Sequence, residues 1–112
     1  MSWDPVYKFI KRIPRGRVTT YGEVARAVKL SGGARAVGYA MAATPSGRGI
    51  PWHRVVGAGG RIRVPEPLSM KQRRLLESEG VSFDGGVIDM KRFGWPSTKL
   101  VKKSRKTPRR KV

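Results

Sequence analysis

Between Val18 and Ala43 two short helical patterns are separated by only Ser31-Gly32-Gly33, and that spacing restricts the fold more than any other feature of the chain. Thr20 and Glu23 stand in the S/T-x-x-E relation of a capping box, which opens a helix. Val24, Ala25 and Val28, with Tyr21, line one side of it. The glycine turn leads at once into a second helical stretch, Ala34–Ala43. Helix, tight turn, helix is the pattern of a helix-turn-helix. The second helix is rich in small residues: Ala34, Ala36, Gly38, Ala40, Ala42 and Ala43. Small side chains allow close approach to another surface. That surface is either a packed helix or a DNA groove, with Arg35 projecting from the helix start. Tyr39 is bulkier than its neighbours and is expected to point into the core.

Other elements flank this unit. Asp4 and Pro5 suit a helix start, and Val6, Phe9, Ile10 and Ile13 recur on one face until Pro14 and Gly16 end the run. Thr44 to Pro51 reads as a loop. "WHRVV" is partly β-like and "GAGG" turns it, followed by the basic extended link "RIRVPEP". Leu68 to Glu79 is a third helix, with Ser69 and Gln72 as a second capping box and Gly80 as its stop. Asp84-Gly85-Gly86 predicts a small hairpin, and Asp89 caps a last turn before "FGWP". The predicted fold is mainly α: one small domain over residues 1–96, with a winged-helix-like helix-turn-helix and a minor β-hairpin. From 97 to 112 the chain is poor in apolar residues and rich in charge, which predicts a disordered basic tail.

Charge narrows the partners. The 112 residues carry a formal net charge of +18. Lys99 to Val112 hold eight Lys/Arg and no acid, and residues 1–98 still carry 17 basic residues against 7 acidic. A basic body with a basic tail points to a polyanion, above all nucleic acid. An anionic membrane is the rival, and neither a long apolar run nor a strongly basic amphipathic helix supports it. No secretory or transit pattern opens the chain, so a cytoplasmic, nucleoid-associated protein is expected, or a nuclear one in a eukaryote. Zero cysteines exclude disulfides, thiolate metal sites and a thiol nucleophile. His53 has no second His or Cys to join it as a metal ligand, and no cofactor is implied.

The strip "IPWHRVV", Ile50 to Val56, has the look of an active site with an indole where a nucleophile would stand. Taken in order, "RVTTYGEVA", "GARAVGYAM", "IPWHRVV" and "LLESEG" resemble the DNA-binding and active-site domain of the O6-alkylguanine-DNA alkyltransferases. The resemblance covers roughly residues 4–86. In the active enzymes the strip reads Pro-Cys-His-Arg-Val, and the cysteine takes the alkyl group. Here that position is Trp52, whose indole N–H only donates a hydrogen bond. The sequence therefore looks like the alkyltransferase-like branch of that family.

The resemblance implies roles. Tyr21 matches the tyrosine that helps rotate a nucleotide out of the duplex, and Arg35 the arginine that fills the gap, a place suited to a planar guanidinium. Without the resemblance, Tyr21 reads as a helix-start residue packed on the core and Arg35 as a surface arginine. Ala34, Arg35, Ala36, Gly38 and Ala40 match a recognition helix that approaches the minor groove. Pro51, Trp52 and Val55 match the lesion pocket, and the loop "TPSGRG" is expected to leave room for the indole. Trp52 is either a core residue or an apolar wall tolerant of alkyl size. His53, Arg54 and Glu79 match the network that activates the thiol. Without a thiol they are expected to be structural, Arg54 and Glu79 as a buried ion pair and His53 on a water or backbone group.

The implied function is a non-enzymatic sensor. It would bind O6-alkylguanine in double-stranded DNA as a monomer, flip the lesion and pass it to nucleotide-excision repair proteins. The alternatives are a general basic DNA-binding protein without lesion preference, an alkyltransferase with another acceptor, and a transcription regulator. Against the last, the sequence shows no dimerisation element and the second helix has few base-reading side chains.

Overall fold

The structure is a computed structural model and describes residues 3–95; the tail expected over 97–112 lies outside the described residues. Helix α1 spans Asp4–Ile10. Trp3 holds the cap position, and Asp4 lies inside the first turn, where a negative charge suits the helix dipole, rather than capping it. The helix ends before Ile13, which still packs in the core. Strand β1, Thr19–Thr20, runs into α2, Tyr21–Ala27, and then α3, Gly33–Ala42. The Thr20 hydroxyl accepts the Glu23 N–H at 3.1 Å, so the capping residue sets where the strand becomes a helix. Among the described residues, α2 and α3 form the helix pair with the most extensive packing.

Trp52–Arg54 form a 3₁₀ turn, so only Val55–Val56 of the strip is strand, β2. It pairs in parallel with β1, Thr19 opposite Val55 and Thr20 opposite Val56. Helix α4 is Leu68–Ser78. Strands β3, Phe83–Asp84, and β4, Val87–Ile88, make the expected hairpin. Asp89 caps the short helix α5, Met90–Phe93, by accepting the Lys91 N–H.

Two apolar clusters result. One joins α1, α2 and α3 through Val6, Ile10, Val24, Val37 and Val55. The other joins α4, the hairpin and α5 through Val56, Leu76, Val81, Ile88 and Phe93. Successive strand residues point to opposite faces, so Val55 enters one cluster and Val56 the other. The strip is thereby fixed between the two halves of the core.

Two local readings fail here. Tyr39 is 61% exposed and faces solvent, because Val37 and Ala40 take the buried face of α3. The Ser69/Gln72 capping box does not form. Pro67 holds the cap position without a side-chain cap bond, and Gln72, 1% exposed, turns into the protein.

Candidate nucleic-acid interface and lesion cleft

The end of α4 positions the central acid. Gly80 adopts φ +93°, its N–H returns to the Glu77 carbonyl, and the Val81 N–H returns to the Leu76 carbonyl. This is a Schellman stop, with Leu76 and Val81 buried in the same cluster. It leaves Glu79 at the helix end, its side chain 5% exposed and turned toward the strip.

Four donors converge on that carboxylate. Arg54 Nε donates to Oε1 at 3.0 Å and Arg54 Nη2 to Oε2 at 2.8 Å. His53 Nε2 lies 2.8 Å from Oε2, and the Gly16 N–H donates to Oε1 at 3.2 Å. Burial works against the ionised form of Glu79, but Arg54, His53 and Gly16 outweigh it and hold the pKa down at about 2. An ionised carboxylate only accepts, so His53 carries its proton on Nε2. The expected Arg54–Glu79 pair forms, and His53, expected on a water or a backbone group, joins it through Nε2. Arg54 Nη1 also donates to the Ile13 carbonyl at 2.9 Å, tying the strip to the end of α1.

Gln72 fastens the strip from its other side. Its amide nitrogen donates to the carbonyls of His53 at 3.1 Å and Val55 at 3.0 Å. The sequence offered Gln72 only as a cap, and Gly16 only as a helix terminator. Gly16 has φ +84°, and a Cβ there would stand 3.1 Å from the Glu79 carbonyl oxygen, so the close approach favours glycine.

Beside this clamp lies a cleft of about 870 Å³, within the range of about 300–1,000 Å³ usual for ligand sites. Tyr21, Gly38, Met41, Trp52, Val55 and Gln72 contribute to its wall, and the loop Thr44–Ile50 closes one side. Trp52 meets His53 edge-on, with ring centroids 6.2 Å apart and planes at 83°. Burial pushes the Tyr21 phenol pKa up, and the charge of Arg63 opposes that shift. Arg63 and Lys71 also line the cleft. Neither was singled out in the sequence, where Arg63 belonged to an unremarkable basic link.

The other expected site residues lie elsewhere. Pro51 is not in the cleft wall. It precedes the 3₁₀ turn, and its carbonyl accepts the Arg54 N–H at 3.0 Å. Ala40 is fully buried, with its carbonyl taking the Tyr7 hydroxyl at 2.8 Å, so it serves the core and not a groove-facing surface. Ala34 and Arg35 are exposed at the start of α3, and Ala36 is half-buried.

Fold and site together define a helix-turn-helix domain built around a cleft, with a carboxylate clamp behind an indole. The family model of the 6-O-methylguanine DNA methyltransferase DNA-binding domain matches residues 2–81. The DNA base-flipping protein of Escherichia coli is 42% identical over 91 residues, which is 80% of this chain and 70% of that protein. Alkyltransferase-like protein 1 of Schizosaccharomyces pombe is 42% identical over 83 residues, 72% of this chain and 77% of that one. A crystal structure of S. pombe Atl1 in complex with damaged DNA containing O6-carboxymethylguanine superimposes with a TM-score of 0.74 at 33% identity, covering 85% of this chain and 98% of that one. The chain belongs to the alkyltransferase-like branch of the 6-O-methylguanine DNA methyltransferase family.

Proposed function

We propose that this protein is a non-enzymatic DNA-damage sensor. It binds duplex DNA from the minor-groove side through α3, takes an O6-alkylguanine out of the base stack and holds it in the cleft. The observation that carries this reading is Trp52 in the cleft wall, beside an intact His53–Glu79–Arg54 clamp, in a chain without cysteine. The clamp has no nucleophile to activate, so its role is to hold the strip that presents the indole.

The modified guanine oxygen lies inside the duplex, and enclosing it requires extrusion at a cost of a few kcal/mol, less where pairing is already damaged. Tyr21 lines the cleft and drives the rotation, and Arg35, exposed on α3, fills the gap in the stack. The name of the E. coli relative and the damaged DNA in the S. pombe structure support this reading. Having no reaction of its own, the protein hands the lesion to nucleotide-excision repair proteins, in the bacterial nucleoid or a eukaryotic nucleus.

The test is binding to matched duplexes, one with a single O6-methylguanine and one with guanine, at physiological salt, followed by the mass of the protein. Preference for the lesion with unchanged mass is expected. Equal binding would leave a general basic DNA-binding protein. A stable mass gain would show an alkyltransferase with a different acceptor.

A further inference from the structure

One large side chain of α3 lies outside both the cleft and the clamp. Tyr39 is 61% exposed, more than Leu68 at 47% or Met70 at 49%. Beside it the outward face of α3 is small except for Arg35, with Ala34 and Ala42 exposed. Arg35 and Tyr39 are four positions apart on the helix, so they stand one above the other with Cβ atoms about 5–6 Å apart. Val37 and Ala40, both fully buried, mark the inner side of α3, and Arg35 points away from it. At about 100° per residue, Gly38, Met41 and Ala42 fall to one side of Arg35, and Tyr39 falls about 40° to the other. Gly38, Met41 and Ala42 line the cleft, so Tyr39 occupies the flank of α3 turned away from it.

We propose that Tyr39 binds the strand left behind when the lesion is extruded. Its ring packs on an undamaged-strand base at the gap, either the partner of the lesion or that partner's neighbour, while Arg35 fills the gap itself. This rests on the lesion-binding reading above and deepens it by adding a residue that holds the extruded state. The cleft lies on one flank of Arg35, so the lesion nucleotide leaves toward that flank and the undamaged strand stays on the flank of Tyr39. A helix faced only with Ala and Gly can lie flat in a minor groove about 6 Å wide. A tyrosine beside Arg35 prevents that, and bulky side chains that enter from the minor groove wedge between base steps. A phenol suits this place, because its face stacks while its hydroxyl stays at the wet edge. A base offers its face only where the stack is open, so the contact forms around an extruded nucleotide and not on an intact duplex. Tyr39 therefore adds more to lesion binding than to plain binding, unlike a phosphate contact, which acts on both alike.

The experiment measures the affinity of the wild-type chain, Tyr39→Ala, Tyr39→Phe and Met70→Ala, after thermal melting has established that each is folded. The duplexes carry guanine or O6-methylguanine. Further O6-methylguanine duplexes have one abasic site, placed in the undamaged strand opposite the lesion or one step to either side, or in the lesion strand one step away. Tyr39→Ala is expected to weaken the lesion duplex about tenfold, as for loss of one base–aromatic stack, and the guanine duplex much less. Tyr39→Phe should keep the wild-type affinity, since stacking does not need the hydroxyl. Met70→Ala, an exposed apolar change on α4, should alter nothing. The loss in Tyr39→Ala should vanish for one of the abasic sites in the undamaged strand and persist for the one in the lesion strand. Equal weakening of the lesion and guanine duplexes by Tyr39→Ala overturns the inference, as does a loss that survives every abasic site, since Tyr39 would then hold the backbone. Unchanged or tighter binding by Tyr39→Ala also overturns it, and leaves the sensor reading standing. If the wild-type chain shows no preference for O6-methylguanine over guanine, the sensor reading itself fails.

Discussion

Glu79 gathers more of the site than any other side chain, and its pKa gives that role a pH signature. The carboxyl sits at about 2 in the folded chain against 4.5 for the free group. A depressed carboxylate pKa stabilises the fold fully above the unfolded value, and the contribution fades as pH falls through the folded value. The window is therefore pH 4.5 down to about 2. At neutral pH the shift is worth about 3 kcal/mol. Glu79→Gln should be less stable than wild type by about that amount at pH 7, with the gap closing toward pH 2. Thermal unfolding of both proteins across that range checks it, and a gap that stays constant would refute the assignment. Trp52 supports a second prediction. An apolar wall sets no sharp size limit, so duplexes with O6-benzylguanine and O6-methylguanine should bind within about an order of magnitude of each other. A competition titration decides, and a much weaker benzyl complex would mean that the indole fills the pocket. Arg54, Glu79 and Trp52 were legible in the sequence because two separate stretches, "IPWHRVV" and "LLESEG", resemble those of the family. Gly16, Gln72 and Arg63 were not. Gly16 reaches Glu79 across 63 positions and Gln72 reaches the His53 carbonyl across 19, so their partners are chosen by the fold.

At the scale of elements, the end of α4 decides where the clamp stands. Glu79 faces the strip because the helix stops there, and it stops because Gly80 takes a left-handed conformation. Nothing lies within 4 Å of a Cβ built on Gly80, so alanine there would meet only backbone strain. Gly80→Ala should therefore cost about 1–2 kcal/mol, read as a lower denaturant midpoint with an unchanged slope. Full stability in this variant would show that the stop is set by packing of Leu76 and Val81 alone. This stop was visible in advance, as were the Thr20 cap and the hairpin, since each depends on neighbours within a few residues. The Ser69/Gln72 box had the same spacing as Thr20/Glu23 and still failed. Burial of Gln72 against two strip carbonyls competes with a local cap, and spacing does not register that competition. The parallel pair β1–β2 went unforeseen for a related reason. Two residues per strand carry no periodicity, and their pairing joins positions 19 and 55.

Across the whole molecule, charge and shape divide the work. The cleft, the clamp and the exposed start of α3 are local devices, whereas the net charge of +18 acts over the full DNA surface. Eight of the 25 basic residues lie from Lys99 onward, beyond the described residues, and the preceding chain remains basic without them. Phosphate contacts raise affinity for every duplex alike and release counterions, with a salt slope of about 0.9 per phosphate neutralised. Removal of residues 97–112 should therefore weaken binding to lesion and plain duplexes by the same factor and flatten the dependence of log K on log salt. The ratio between the two duplexes should stay fixed, because the cleft wall that sets it comes from residues 21–72. Titrations of both duplexes at three salt concentrations, with full-length and truncated protein, measure the slope and the ratio together. A ratio that changes on truncation would mean the tail takes part in lesion recognition, and the division between a reading cleft and a charged body would fall with it.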